Sequence, residues 1–148
     1  MNFQFVDRIY SYEKDLSIKG CKLVSLEEYF LNRPHGRKKD FPSLLLIETI
    51  IQLASWLVII SSEFKKVAII SDFEKVEFLK IPSSGDKLLL EVNILVLNSN
   101  SIVFNAFIKI KDEIIFKASN LSCSLDYLDK YYSPEDLKVK FEELFILK

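Results

Sequence analysis

The spacing of hydrophobic residues changes character twice along this 148-residue chain. Residues 43–61 (SLLLIETIIQLASWLVIIS) are apolar on nearly every side of a helix, the pattern of a helix buried all round. Its polar residues Glu48, Gln52 and Ser55 fall at i, i+4 and i+7, one narrow stripe expected to face a cavity. The run is long enough to raise the question of a membrane span. An ionisable Glu48 inside it would be costly in lipid, so a core helix wrapped by a sheet is the better reading. From residue 66 the period becomes two. Residues 67–79, 87–98, 101–111 and 113–125 read as strands. Leu88, Leu90, Val92, Ile94 and Val96 hold one face while Glu91 and Asn93 hold the other; Ile102, Phe104, Ala106, Ile108 and Ile110 repeat the pattern. Turn residues at Ser83–Asp86, Asn98–Asn100 and Lys111–Glu113 separate them, which implies hairpins and an antiparallel sheet.

The ends are less regular. Residues 17–25 alternate as a strand, and residues 3–9 suit a short strand or one helical turn. Residues 26–41 are polar and basic, the longest irregular stretch ahead of the helix and a place for function. At the other end Ser133 is an N-cap, Pro134 sits at N1, and Glu135 and Asp136 fill the first turn. Leu137, Phe141, Leu144 and Phe145 then mark one face of an amphipathic helix, expected to pack on the sheet or on a partner subunit. Pattern alone therefore gives an α+β chain.

Composition narrows the function. Twenty basic and 21 acidic residues leave a net charge of −1, with neither the basic excess of a nucleic-acid binder nor a long basic run for a membrane surface. Length and 49% hydrophobic content suit one folded domain. The three glycines are too scattered for a phosphate-binding loop. Cys21 and Cys123 form no CxxC pair, so a disulfide framework and a zinc cluster are excluded and a reducing compartment fits. Both thiols are expected to be inert, since nothing near them in sequence would lower a thiol pKa. His35 is the one histidine, which excludes the usual multi-histidine metal sites. The N-terminus carries Asp7 and lacks an apolar signal core, so a cytoplasmic protein is expected.

Three stretches resemble the FabZ-type (3R)-hydroxyacyl-[acyl-carrier-protein] dehydratases. Phe5-Val6-Asp7-Arg8-Ile9 is similar to that family's LVDRV. Residues 41–52 (FPSLLLIETIIQ) resemble MPGVLIVEAMAQ, and residues 75–88 (KVEFLKIPSSGDKL) resemble KVKFRRPVVPGDRL without a gap. The likeness covers about residues 3–125, so the chain reads as a dehydratase-like domain over 1–125 and a C-terminal helical extension over 126–148. The resemblance implies a hotdog fold, a curved antiparallel sheet around one long buried helix. It also implies a homodimer or trimer of dimers with active sites at the subunit interface. The implied substrates are thioesters on acyl carrier protein, dehydrated in fatty-acid or related lipid synthesis with no metal or organic cofactor. In the family a loop histidine takes the proton beside the thioester carbonyl, and the helix glutamate of the other subunit protonates the departing hydroxyl. Backbone N–H groups polarise the carbonyl.

Carried over residue by residue, Glu48 matches the family glutamate, Gln52 the glutamine one turn later, and Pro42 the proline at the helix start. Ser43 stands where the family has glycine, so a side chain sits where the thioester would pass. The family loop is GHFPGRPVMPG. One deletion aligns His35 with its histidine and Gly36-Arg37 with its Gly-Arg; without that deletion the histidine falls on Pro34. Either His35 is the base in a shortened loop, or the site has lost its base. Arg37, Lys38 and Lys39 are a solvated loop or a contact for the acidic face of the carrier. Glu48 has a plainer reading as a buried polar residue held by backbone or by Arg8. Asp7 and Arg8 read as an ion pair at a strand end, and Gly85-Asp86 as a turn. Two further functions stay open: a non-catalytic hotdog subunit that binds acyl chains or an active partner, and a hotdog thioesterase in which Glu48 activates water.

Overall fold

The computed structural model describes residues 5–25 and 43–145. In chain order these form strands β1 (Arg8–Glu13) and β2 (Ser17–Leu23), helix α1 (Ser43–Ser61), and strands β3 (Lys66–Phe78), β4 (Lys87–Leu97), β5 (Ser101–Ile110) and β6 (Glu113–Tyr127). A 3₁₀ turn at Leu128–Lys130 leads to helix α2 (Pro134–Leu144). The six strands make one antiparallel sheet in the order β1-β2-β4-β5-β6-β3.

Helix α1 is rich in β-branched residues, which are mediocre helix formers on their own. Its stability therefore comes from burial. Twelve of its nineteen residues are buried, an unbroken run from Thr49 to Ile59 together with Leu46. By length and mean hydropathy of 2.1 it could cross a membrane, but 67% of that window is buried within the chain's own fold. The helix packs against β2 and β4 towards one end of the strand order and against β3 at the other end. One straight helix reaches both only if the sheet curves around it.

The strand phase matches this geometry. Ile18, Gly20, Lys22 and Val24 alternate onto the concave face, beside Val92, Leu90 and Leu88 of β4, and all are buried. At Gly20 the backbone of β1 comes so close that a Cβ would lie 2.5 Å from the Arg8 carbonyl oxygen and 3.3 Å from Leu53 Cδ1. The last turn of α1 closes through two left-handed residues, Glu63 (φ 57°) and Phe64 (φ 63°), with Phe64 N–H donating to Ile59 O at 2.7 Å. Ser62 Oγ accepts from Lys66 N–H at 2.9 Å and so starts β3.

Most boundaries agree with the sequence reading. The exception is β1, which runs over 8–13, later than the expected 3–9. Only Ile9 of that strand is buried, so no apolar alternation marked it, and pairing with β2 alone defines it. The expected loop over 26–41 lies outside the described residues.

Helix α2 begins as its capping residues predict, with Ser133 Oγ accepting from Asp136 N–H at 3.3 Å. It packs on its own chain. Phe141 lies 5.9 Å from Trp56, 6.2 Å from Phe64 and 6.1 Å from Tyr12, ring centre to ring centre. Phe145 then pairs in parallel with Ile9. The C-terminal segment thus covers α1 and bridges to the β1 edge of the sheet. Among the described residues the outer edge of β3 has no strand beside it.

Two stability tests follow from this packing. Gly20→Ala is expected to lower unfolding free energy by about 1–3 kcal/mol through overpacking, read as a lower denaturant midpoint at unchanged slope. An unchanged midpoint would show that β1 and β2 can separate freely. Phe141→Ala is expected to cost about 2–3 kcal/mol, because a partly buried ring leaves a gap against Trp56. Amide exchange should rise in α2 before it rises in β4 and β5.

Candidate active site

The first turn of a helix leaves backbone N–H groups without intrahelical partners, and these favour negative charge. Ser43 opens α1 and is half-buried, so its side chain stands at that positive end. Glu48 follows on the first half of the helix and is also half-buried. One turn on, Gln52 is 1% exposed. Its Oε1 accepts the backbone N–H of Phe5 at 3.0 Å, across 47 positions of sequence. Its Nε2 donates to Glu48 Oε1 at 3.4 Å.

The direction of this chain has a chemical consequence. A backbone N–H can only donate, so the Phe5 bond fixes which end of the Gln52 amide is oxygen. The other end is then NH₂, and one of its donors goes to Glu48. Glu48 Oε1 thus accepts, and Oε2 lies outside this bond. Glu48 is held by glutamine and not by Arg8, whose Nη1 donates to the Asp7 carbonyl at 3.0 Å.

The expected polar stripe divides. Ser55 Oγ turns to the sheet and donates to the Ala68 carbonyl at 3.3 Å, so it faces β3 and not a cavity. Among the described residues a cavity of about 390 Å³ adjoins α1 at its far end, between Val58, Ser61, Ile94, Leu97 and Leu125. Val58 is ten residues beyond Glu48, roughly 15 Å along the axis. The reason is steric: the first half of the stripe meets the N-terminal segment and the second half meets β3.

Of the other expected site residues, His35, Gly36, Arg37, Lys38, Lys39 and Pro42 lie outside the described residues. The expected Asp7–Arg8 ion pair is replaced by backbone bonds. Asp7 Oδ2 accepts Leu23 N–H at 2.6 Å and Asp7 N–H donates to Cys21 O at 2.9 Å, tying the N-terminal segment to β2. Gly85, at φ 90°, makes the expected turn, with Asp86 Oδ2 accepting Ser83 N–H. Both cysteines are buried and free, and burial pushes the Cys123 thiol up to about 12, which makes it a poor nucleophile.

Three neighbours of the site were not singled out from the sequence. Phe5 contributes a backbone N–H, which no side-chain pattern encodes. Tyr132 lies in the C-terminal segment; burial raises its phenol pKa, and the Glu48 charge raises it further, so this segment reaches the electrostatic field of the site. Lys22 did leave a signal: a charged residue in the apolar phase of a strand.

Residues 1–119 match the sequence profile of the family described as FabA-like domain. A 3-hydroxyacyl-[acyl-carrier-protein] dehydratase FabZ of Buchnera aphidicola is 28% identical over 119 residues, covering 78% of this chain and 79% of its own. The enzyme of that name from Caldanaerobacter subterraneus is 30% identical over 113 residues, covering 76% and 80%. Among solved structures, a hot-dog-like protein from Thermanaerovibrio acidaminovorans superposes with a TM-score of 0.64 at 16% identity, over 86% of this chain and 93% of its own. A variant of the fluoroacetyl-CoA-specific thioesterase FlK gives 0.68 at 8% identity, over 89% and 98%. These structures share the sheet wrapped on its helix and establish the hotdog fold expected from the resemblance. With 119 residues matched from the first strand into β6, the chain belongs to the FabA-like family as a divergent, FabZ-like member.

Proposed function

We propose that this chain dehydrates 3-hydroxyacyl thioesters carried on acyl carrier protein to trans-2-enoyl thioesters, in fatty-acid or related lipid synthesis. The observation that carries the reading is the half-buried Glu48, one oxygen of which is met by an amide of fixed orientation. A general acid must hold its proton in a defined direction, and Gln52 leaves Oε2 for that proton.

In this reading His35 removes a proton from the carbon beside the thioester carbonyl. The electron pair forms the carbon–carbon double bond as the bond to the hydroxyl breaks. Glu48 gives its proton to the departing oxygen, which leaves as water. His35 ends protonated and Glu48 ionised, and one net proton transfer between them restores the site. No electrons leave the substrate, so the reaction needs no redox cofactor. Negative charge grows on the carbonyl oxygen, and the first-turn N–H groups of α1, which have no acceptor within the helix, are suited to hold it. Gly36, Pro42 and Ser43 would line the thioester path. Arg37, Lys38 and Lys39 would meet the acidic carrier and act mainly on association rate.

The active form in this reading is a homodimer, His35 of one subunit serving Glu48 of the other. Its support is the 13-residue β3, which has an open outer edge among the described residues and an exposed Phe73 upon it. Residues 1–125 would be the catalytic domain, and 126–148 an extension laid over α1. A cytoplasmic location accords with the carrier-protein substrate.

The test is hydration of a trans-2-enoyl thioester, followed by loss of the conjugated absorbance. Glu48→Gln and His35→Ala are each expected to lower kcat by about 10²–10⁴-fold at nearly unchanged stability. Wild-type turnover that survives His35→Ala would remove His35 from the mechanism. Gln52→Leu is expected to lower kcat by roughly tenfold or more with a smaller change in KM, because either carboxyl oxygen could then carry the proton. A wild type that hydrates no thioester but releases thiol would move the assignment to hydrolysis.

A further inference from the structure

Lys22 is 3% exposed, an unusual state for a lysine. Its direction is set by β2. Ile18 and Gly20 precede it on the same face, and the Cβ direction of Gly20 points at Leu53 of α1. Lys22 lies opposite Leu88, which is fully buried. The lysine therefore points into the concave side of the sheet, towards the helix that carries Glu48. An apolar residue of similar length would fill this place without the cost of removing an ammonium group from water.

Its ammonium stands 5.0 Å from the centre of the Phe5 ring, within the range of a cation–π contact, and such contacts gain strength when water is excluded. Phe5 is also the residue whose N–H holds the Gln52 amide, and that amide meets Glu48. One residue thus has its ring beneath the lysine and its backbone on the glutamine. We propose that Lys22 is a positioning residue for Glu48. It acts through Phe5, whose placement sets the direction of the Gln52 amide and so which carboxyl oxygen carries the proton. This rests on the dehydratase reading given above.

The proposal separates charge from bulk. Lys22→Met keeps length and burial but loses the cation. Phe5→Leu keeps the backbone N–H but loses the ring. Each is expected to lower kcat for enoyl-thioester hydration by roughly ten- to a hundredfold, with KM changed by less than about threefold. Lys22→Arg, which retains a cation, is expected to keep most of the activity. Because Lys22 acts through Gln52, the double variant Lys22→Met/Gln52→Leu should be no worse than Gln52→Leu alone.

A readout independent of turnover is the side-chain amide NMR signal of Gln52, identified by its absence in Gln52→Leu. It should shift in Lys22→Met and Phe5→Leu and stay near its wild-type place in Lys22→Arg. Unchanged Gln52 signals in Lys22→Met would overturn the proposal, as would losses that multiply in the double variant. Equal loss in Lys22→Met and Lys22→Arg would overturn it too, because shape and not charge would then decide. If wild type lacks hydration activity, the dehydratase reading falls, and the Gln52 signals still decide whether Lys22 controls that amide.

Discussion

Everything in this molecule depends on the burial of α1. Its sequence has weak intrinsic helicity and almost no polar face, so in water it would neither hold its shape nor stay dispersed. The sheet has to curve around it, and that curvature dictates the rest. Concave positions must be apolar or small, which is why Gly20 sits where β1, β2 and Leu53 converge. The side of α1 turned from the sheet needs its own cover, and the N-terminal segment and α2 supply it. The fold is best viewed as a set of layers recruited to bury one helix.

A helix buried over most of its surface makes its polar residues expensive, and the buried ones here have partners suited to their places. Thr49 Oγ1 donates back to Leu45 O at 2.6 Å within the helix. Ser55 bonds to β3. Gln52 and Glu48 bond to each other, with the far end of the glutamine on Phe5. Glu48 lies near enough to the helix start to remain half-open. From Thr49 to Ile59 burial is unbroken, so a carboxylate placed one turn later would be sealed within the fold. One placed a turn earlier would lose the amide that orients it.

The C-terminal segment adds a layer beyond the residues matched to the family. Its aromatic cluster of Tyr12, Trp56, Phe64, Phe141 and Phe145 joins β1, α1 and α2 into one unit. It brings Tyr132 into the field of Glu48. It also bridges to the β1 edge through Phe145, which leaves β3 as the long open edge among the described residues. An unpaired strand of that length is ordinarily covered in a stable protein.

By itself the sequence determined the elements whose signal is local. Periods of two and of nearly all-round apolarity identified β4, β5, β6 and α1, and the Ser133-Pro134 cap identified α2, because patterning and capping act over a few residues. The family motifs identified Glu48 and Gln52 as a pair for the same reason, since i and i+4 share a helix face. Strand β1 was misplaced because its pairing with β2, not its own pattern, holds it. The bond from Phe5 to Gln52, the turn of Ser55 to Ala68 and the placing of Lys22 beneath the curve of the sheet were decided only by tertiary structure. Each joins groups far apart in the chain, two of them through backbone atoms that every residue carries. Such groups leave no mark in the amino-acid code; the folded arrangement alone selects which of them meet.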